Sequence, residues 1–379
     1  MEACLREQGL TDSPAFIVDE TAIRKSLRDL AELREESGCK VLYSMKALPL
    51  QPVVELAAQE LDGISVSSLF EARLARECIG ADGSIHLTSP GLRNGEFAEL
   101  SKLCSHISFN SPGQWQTLAA KGGEYSPGLR INPKLSFLSD LRFDPCRPHS
   151  KLGIDIELLD QLDWAGDVEG LHFHTVFSCQ DFSPLLRTME KISKALSKQA
   201  SALKWLNLGG GYLFSQIEDK GAFVQLVKAL KGDFALDVYI EPGKDIVGRA
   251  GYLCTRVIDR FDSDGKTVLI VDSTVNHHPE IFEYQRAAEL LNPQQGEVPV
   301  ILAGSSCLAG DLFGEYRFDK TPEIGERIVF KNLGAYSLIK ANRFNGYNLP
   351  TIYNWDGKNL MQLKQDDYQD YRKQWRVGG

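Results

Sequence analysis

The chain has 379 residues, 43% hydrophobic, 25% charged and 9% aromatic, with 33 glycines and 16 prolines. This excludes a collagen-like, low-complexity or disordered protein and leaves apolar material for one large and one medium domain. The net charge of −9 comes without a basic run, so nucleic-acid binding has no electrostatic support, and no stretch approaches the roughly 18 apolar residues of a membrane span.

The opening MEACLREQGL has early acids and no apolar core, unlike a secretion signal. Eight cysteines lie far apart with no C-x-x-C pair, as free thiols of a reducing cytoplasm do. A first strand, Ala15–Val18, has no helix to pair with it. Eight apolar, β-rich runs then follow: Val41–Ala47, Gly63–Ser68, Ser84–Pro90, His106–Asn110, Leu129–Pro133, Gly170–Phe177, Trp205–Tyr212 and Val238–Gly243. The first five start 22, 21, 22 and 23 residues apart, the spacing of compact βα units. Amphipathic segments lie between them; in Leu69–Gly80 the apolar Phe70, Leu74 and Cys78 share one helical face. Eight alternations, without G-x-G-x-x-G after the first strand, predict a (β/α)8 barrel rather than an open doubly wound sheet. After about residue 245 the pattern becomes all-β: Leu253–Phe261 and Lys266–Asp272 flank the turn Asp262–Gly265, followed by Val298–Ala303, Arg327–Asn332 and the pair Thr351–Asn354/Asn359–Lys364. The expected division is a barrel over 22–246 and a β-domain from 1–21 and 247–379, joined in space by Ala15–Val18.

Residues at the C-terminal ends of the strands are the site candidates of such a barrel. Lys46 ends the first strand between Met45 and Ala47. Most lysines are solvated charges, but one held among apolar neighbours has its amine activated. Gly209, Gly210 and Gly211 follow the seventh strand, either as a tight turn or as bare N–H groups able to wrap a phosphate. Glu241 closes the eighth strand and points a carboxylate into the mouth. His172 and His174, two apart on the sixth strand, share a face. With no third ligand at suitable spacing they make no metal site; His172 reads as a packed barrel residue and His174 as the ligand contact. In the β-domain, Gly304–Asp311 (GSSCLAGD) is a small-residue loop with one thiol, Cys307, and one carboxylate, Asp311. One cofactor unites the barrel residues: pyridoxal phosphate needs a lysine to hold it covalently, a glycine-rich phosphate cradle, a carboxylate for its pyridine nitrogen and a flat ring against its own.

Seven passages carry a resemblance: YSMKALP around Lys46, DGISVSSLFEARLA at Asp62–Ala75, RFDPCRPHSKLG at Arg142–Gly153, LNLGGGYLF at Leu206–Phe214, IEPGKDIV at Ile240–Val247, GSSCLAGDLFGEY at Gly304–Tyr316 and GAYSLIKANRFNGYNLPTIY at Gly334–Tyr353. Together they make the chain, from Pro14–Asp19 to Asn348–Tyr353, resemble the fold-type III pyridoxal phosphate decarboxylases. This alanine-racemase-like group contains the ornithine, diaminopimelate and carboxynorspermidine decarboxylases, and the carboxynorspermidine/carboxyspermidine branch is the most similar. The resemblance implies that Lys46 carries the cofactor, His174 stacks on its ring, Glu241 pairs with its pyridine nitrogen, and Gly209–Gly211 with Tyr336 bind its phosphate. It implies a head-to-tail homodimer with shared sites, in which Cys307 and Asp311 face the partner's substrate, Cys307 as proton donor to Cα. Asp272 and Glu241 are further substrate contacts on this reading.

Two departures stand out. After the stacking histidine the branch carries a cysteine and an acid, where this chain has Thr175-Val176-Phe177-Ser178; and Lys244 replaces the arginine that ornithine decarboxylases carry after Glu241-Pro242-Gly243. The expected reaction is therefore decarboxylation of carboxynorspermidine or carboxyspermidine in polyamine synthesis. The alternatives are decarboxylation of a related amino acid or aminocarboxypropyl compound and, with a thiol where a racemase has tyrosine, less readily an amino-acid racemisation.

Overall fold

The structure, a computed structural model, describes residues 9–159, 161, 162, 164, 166–199, 202–292 and 295–377. The opening stretch read against secretion, with Cys4, thus lies outside the described residues up to Gln8. The chain forms two units, Ser26–Ile246 and the flanking segments up to Lys25 and from Val247. The fold class is the expected one: a closed parallel barrel and a separate, mostly-sheet unit.

The barrel strands are Lys40–Ser44, Gly63–Val66, Ser84–Thr88, His106–Phe109, Ser126–Asn132, Gly170–His172, Trp205–Asn207 and Asp237–Ile240. Each pairs in parallel with the next, and Tyr239 opposite Lys40 closes the ring. Strands buried on both faces explain the near-continuous apolar runs. All eight runs end sooner as strand than expected; among them, the chain leaves the sheet at Ser44, His172, Asn207 and Ile240, yet Met45, Phe173, Leu208 and Glu241 beyond them stay buried. Lys46, His174 and Glu241 consequently sit just past strand ends rather than on them.

The helix Leu69–Ile79 also corrects an expectation. Its cap, Ser68, accepts the Glu71 amide, and its buried stripe is Leu69, Ala72 and Ala75; Phe70 is 77% exposed and lies under the Arg73 guanidinium. Both stripes are apolar in sequence, and the small residues, which permit close approach, face the core.

The base of the barrel is filled by Trp205, for which Gly128 and Gly170 leave room: a Cβ at either would stand 2.2 or 1.9 Å from the indole. Beside it His86 and His106 stack at 3.9 Å, linked through Ser84 and Ser105. Burial, then His106, pushes the His86 imidazole well below its usual range, and burial, then Lys40, brings His106 down to about 4. These rings stay neutral in the fold but protonate in the unfolded chain near the ordinary 6.5, so the unfolded state binds more protons between pH 6.5 and 4. Stability is complete above that window and is lost as pH falls through it. The melting temperature is expected to drop by roughly 5 °C or more between pH 7 and 4.5, and His106→Phe should flatten the slope; an equal slope in the variant contradicts this.

In the second unit, Gly251–Ser263 pairs antiparallel with Ala15–Asp19, with Arg327–Phe330 and, through the turn at Asp264 and Gly265, with Lys266–Val271. Both turn residues have positive φ, as a two-residue hairpin of this hand requires. Val298–Ala303 and the unforeseen strand Leu312–Phe318 extend one side; Thr351–Trp355, parallel to Ala15–Asp19, and Leu360–Lys364 extend the other. The unit is not all-β. It also holds the helix Tyr368–Trp375, started by a capping box between Asp367 and Asp370. Among the described residues no helix is long and apolar enough to cross a membrane.

Candidate active site

The barrel mouth is assembled from strand ends that the backbone ties together. The Ser44 amide donates to the Pro242 carbonyl (3.0 Å), joining the Lys46 turn to Glu241-Pro242-Gly243. Met45 and Ala47 are wholly buried within the short helical turn Met45–Ala47, leaving Lys46 to project the other way. Its side chain meets solvent in the mouth while protein surrounds it closely enough to desolvate the charge. Its ammonium pKa is lowered, chiefly by that burial; Glu241 opposes the shift, Arg130 adds to it and Glu71 opposes it. The amine is thus more available as a nucleophile than that of a free lysine.

Glu241, 6% exposed, accepts a hydrogen bond at Oε1 from Asn207 Nδ2 (2.8 Å). Its Oε2 faces His172 Nε2 at 3.9 Å, beyond hydrogen-bond range, and His172 Nε2 is buried without a partner. His174 Nδ1 accepts the Gly210 amide (3.1 Å), which fixes the neutral ring's proton on Nε2. Burial, then Lys46 and Arg130, hold this imidazole well below its usual range.

The glycine turn is where sequence reading needs correction. Of the two readings, a tight turn or bare amides able to wrap a phosphate, the second holds only in part: the Gly209 amide donates to Asn207 Oδ1 (2.9 Å) and that of Gly210 to His174. The glycines serve foremost as close spacers: a Cβ at Gly209, Gly210 or Gly211 would stand 2.3, 2.2 or 2.1 Å from the carbonyl oxygens of Phe173, Glu241 and Val176. Gly210→Ala must therefore push two strand ends apart. The expected cost is about 1–3 kcal/mol of stability with weakened cofactor binding; an unchanged melting temperature and cofactor affinity contradicts this.

Lys46, His174, Gly209–Gly211 and Glu241 are thus brought together, with Arg130, Asn207 and Glu71 that sequence reading missed. Arg130, 8% exposed, is a lone cation in the apolar strand run LRIN, and Asn207 stands two residues before the first glycine of the turn; such buried polar letters were the available signal. The departure at Phe177 also takes shape: its ring stacks on Phe143 (5.8 Å, 20°), Lys244 lies over the same ring (5.1 Å) and Arg142 over Phe143 (5.1 Å).

The remaining candidates belong to the sheet unit. Cys307 is exposed and its amide donates to Asn345 Oδ1 (2.8 Å). Asp311 is only 3% exposed: Oδ1 accepts the Val275 amide (2.7 Å) and Oδ2 the amide and hydroxyl of Ser306, so both oxygens hold the Cys307 loop instead of standing free. Asp272 Oδ1 accepts the Arg256 amide (2.9 Å). Tyr336 starts the turn Ser337–Lys340 at φ 62°, and burial raises its hydroxyl to about 12.

The donor set fits pyridoxal phosphate: an imine-capable amine, a neutral imidazole, a buried carboxylate with one oxygen unengaged by its nearest neighbour, and a turn with no room for side chains. Among the described residues no three His, Cys, Asp or Glu side chains are grouped to hold a metal ion.

Comparison with known proteins agrees. The family described as pyridoxal-dependent decarboxylase, C-terminal sheet domain, matches residues 15–334. A carboxynorspermidine/carboxyspermidine decarboxylase of Campylobacter jejuni is 32% identical over 376 residues, covering 95% of this chain and 97% of the relative. A carboxyaminopropylagmatine decarboxylase of Synechocystis is 31% identical over 373 residues, covering 95% and 94%. The solved structure of carboxynorspermidine decarboxylase complexed with norspermidine, from C. jejuni, superposes with a TM-score of 0.85 at 31% identity, covering 96% of this chain and 100% of that one.

Proposed function

This chain belongs to the family of pyridoxal-dependent decarboxylases, and we propose that it removes the α-carboxylate of carboxynorspermidine or carboxyspermidine in polyamine synthesis. The observation that carries the substrate is near end-to-end similarity to a C. jejuni enzyme named for those compounds. The second relative is named for another carboxylated aminopropyl amine, so a compound of that type is the second reading. It is favoured by the Phe143–Phe177 stack standing where the branch carries an acid.

The cofactor supplies an electron sink for the bond to the departing carboxylate. Lys46 holds it covalently, and Glu241, through Oε2, keeps the pyridine nitrogen protonated. His174 offers a ring face that stays neutral, so it adds no charge competing with that sink. The turn Gly209–Gly211, with Tyr336, would hold the cofactor's phosphate. Asp311 and Asn345 hold the loop from which Cys307 returns a proton to Cα. The chain works as a cytoplasmic homodimer in which Cys307 of one copy serves the Lys46 site of the other.

Carbon dioxide release from carboxynorspermidine, carboxyspermidine, carboxyaminopropylagmatine, meso-diaminopimelate and ornithine tests the reading. The first two should exceed the last two in kcat/KM by at least about 100-fold. Preference for diaminopimelate or ornithine overturns the substrate, and racemisation without carbon dioxide overturns the reaction.

A further inference from the structure

We propose that Asn207 is a positioning residue that sets the carboxylate of Glu241 and the glycine turn as one unit. The inference rests on the cofactor-binding reading of this site and adds a residue which that reading does not use. Asn207 ends the seventh strand and is 1% exposed. Its amide works in both directions: Nδ2 donates to Glu241 Oε1 at 2.8 Å, and Oδ1 accepts the Gly209 amide at 2.9 Å. Its backbone carbonyl also accepts the Phe173 amide (3.0 Å), one residue before His174. Three pieces of the site, distant from one another in sequence, are therefore indexed to one residue, two of them through its side chain.

The chemistry requires an amide at this position. A carboxylate can make the contact to Gly209 but brings a second negative charge against Glu241. A lysine or arginine can donate to Glu241 but offers nothing to the glycine. The single Nδ2 donor occupies Oε1 and so leaves Oε2 as the oxygen available to a ligand. Among the described residues no hydrogen bond to Oε2 is formed, and His172 Nε2 lies 3.9 Å from it. Without Asn207, Glu241 is free to rotate, or to share a proton, in a site that has excluded the water to compensate it.

A double-variant cycle tests this. Pyridoxal phosphate affinity of the apo chain and turnover of the loaded chain are measured for wild type, Asn207→Ala, Asn207→Asp, Glu241→Gln and the Asn207→Ala/Glu241→Gln pair. Asn207→Ala and Asn207→Asp should each lower kcat roughly 10- to 100-fold with KM changed by less than about threefold. Asn207→Asp should also move the acid limb of kcat to higher pH, because the added carboxylate disfavours the ionised form of Glu241; Asn207→Ala, which removes only the hydrogen bond, should move it less. In the Glu241→Gln background, Asn207→Ala should cost less than about threefold more in turnover and in cofactor affinity. Equal costs in both backgrounds, or a wild-type Asn207→Asp, which keeps the Gly209 contact, overturn the proposal in favour of a loop strut. If Asn207→Ala fails to fold, the acid limb of Asn207→Asp decides alone. A wrong substrate shows differently: wild type gives no turnover, and the affinity cycle still decides on Asn207.

Discussion

Lys46→Ala should lower carbon dioxide release by at least about 1000-fold, and Lys46→Arg should fare no better. The second variant matters because it keeps a cation near Glu241 and removes only the amine. Lys46 is placed by its neighbours: Met45 and Ala47 are fully buried, and the Ser44–Pro242 bond pins the turn to the Glu241 segment. The amine cannot retract without unpacking either. Burial and Arg130 favour its neutral form against the pull of Glu241 and Glu71, so the amine is a better nucleophile than that of a solvated lysine. Borohydride reduction of the loaded wild type followed by peptide mapping should find the cofactor on the peptide holding Lys46. Label on another lysine, or full turnover in Lys46→Arg, removes Lys46 from this role.

The barrel was legible because each strand is a short apolar run bounded by polar loops, eight of them alternate with helical segments, and the first five recur at nearly constant spacing. The strand ends were not, and that is where the chemistry lies. Apolar letters continue past Ser44, His172 and Asn207 because the turns beneath the mouth are as buried as the strands; composition records burial, not hydrogen bonding. Leu312–Phe318 escaped notice because Gly314, at φ 149°, interrupts its alternation. Phe70 misled for a related reason: two apolar stripes wind around one helix, and only packing selects the alanine-bearing one. Lys46, His174, the glycines and Glu241 could be nominated singly from position and residue type. Asn207 could not, since its meaning is a bond to a residue 34 positions away. The bare-amide reading of the glycines could not be narrowed from sequence either, as the acceptors for Gly209 and Gly210, Asn207 Oδ1 and His174 Nδ1, are side chains whose direction the sequence does not record.

Cys307→Ala should reduce turnover about 100-fold while pyridoxal phosphate affinity stays within about threefold of wild type, separating a proton donor from a cofactor ligand. The loop supports such a role: its thiol is exposed, its backbone is held at Asn345, and the buried Asp311 carboxylate ties the loop to Val275 and Ser306. Asp311→Ala should therefore lose turnover through disorder of the same loop, and should raise the rate at which a thiol reagent modifies Cys307. The homodimer reading makes the sharper prediction. Lys46→Ala and Cys307→Ala chains are each nearly inactive alone, but equal mixing under exchange makes half the dimers mixed, each with one site carrying both groups. Activity should return to about 25% of wild type. If light scattering shows that mixed dimers form and no activity returns, Lys46 and Cys307 do not serve one site from different copies. If the mixture stays inactive and each chain remains a monomer, the dimer itself is refuted.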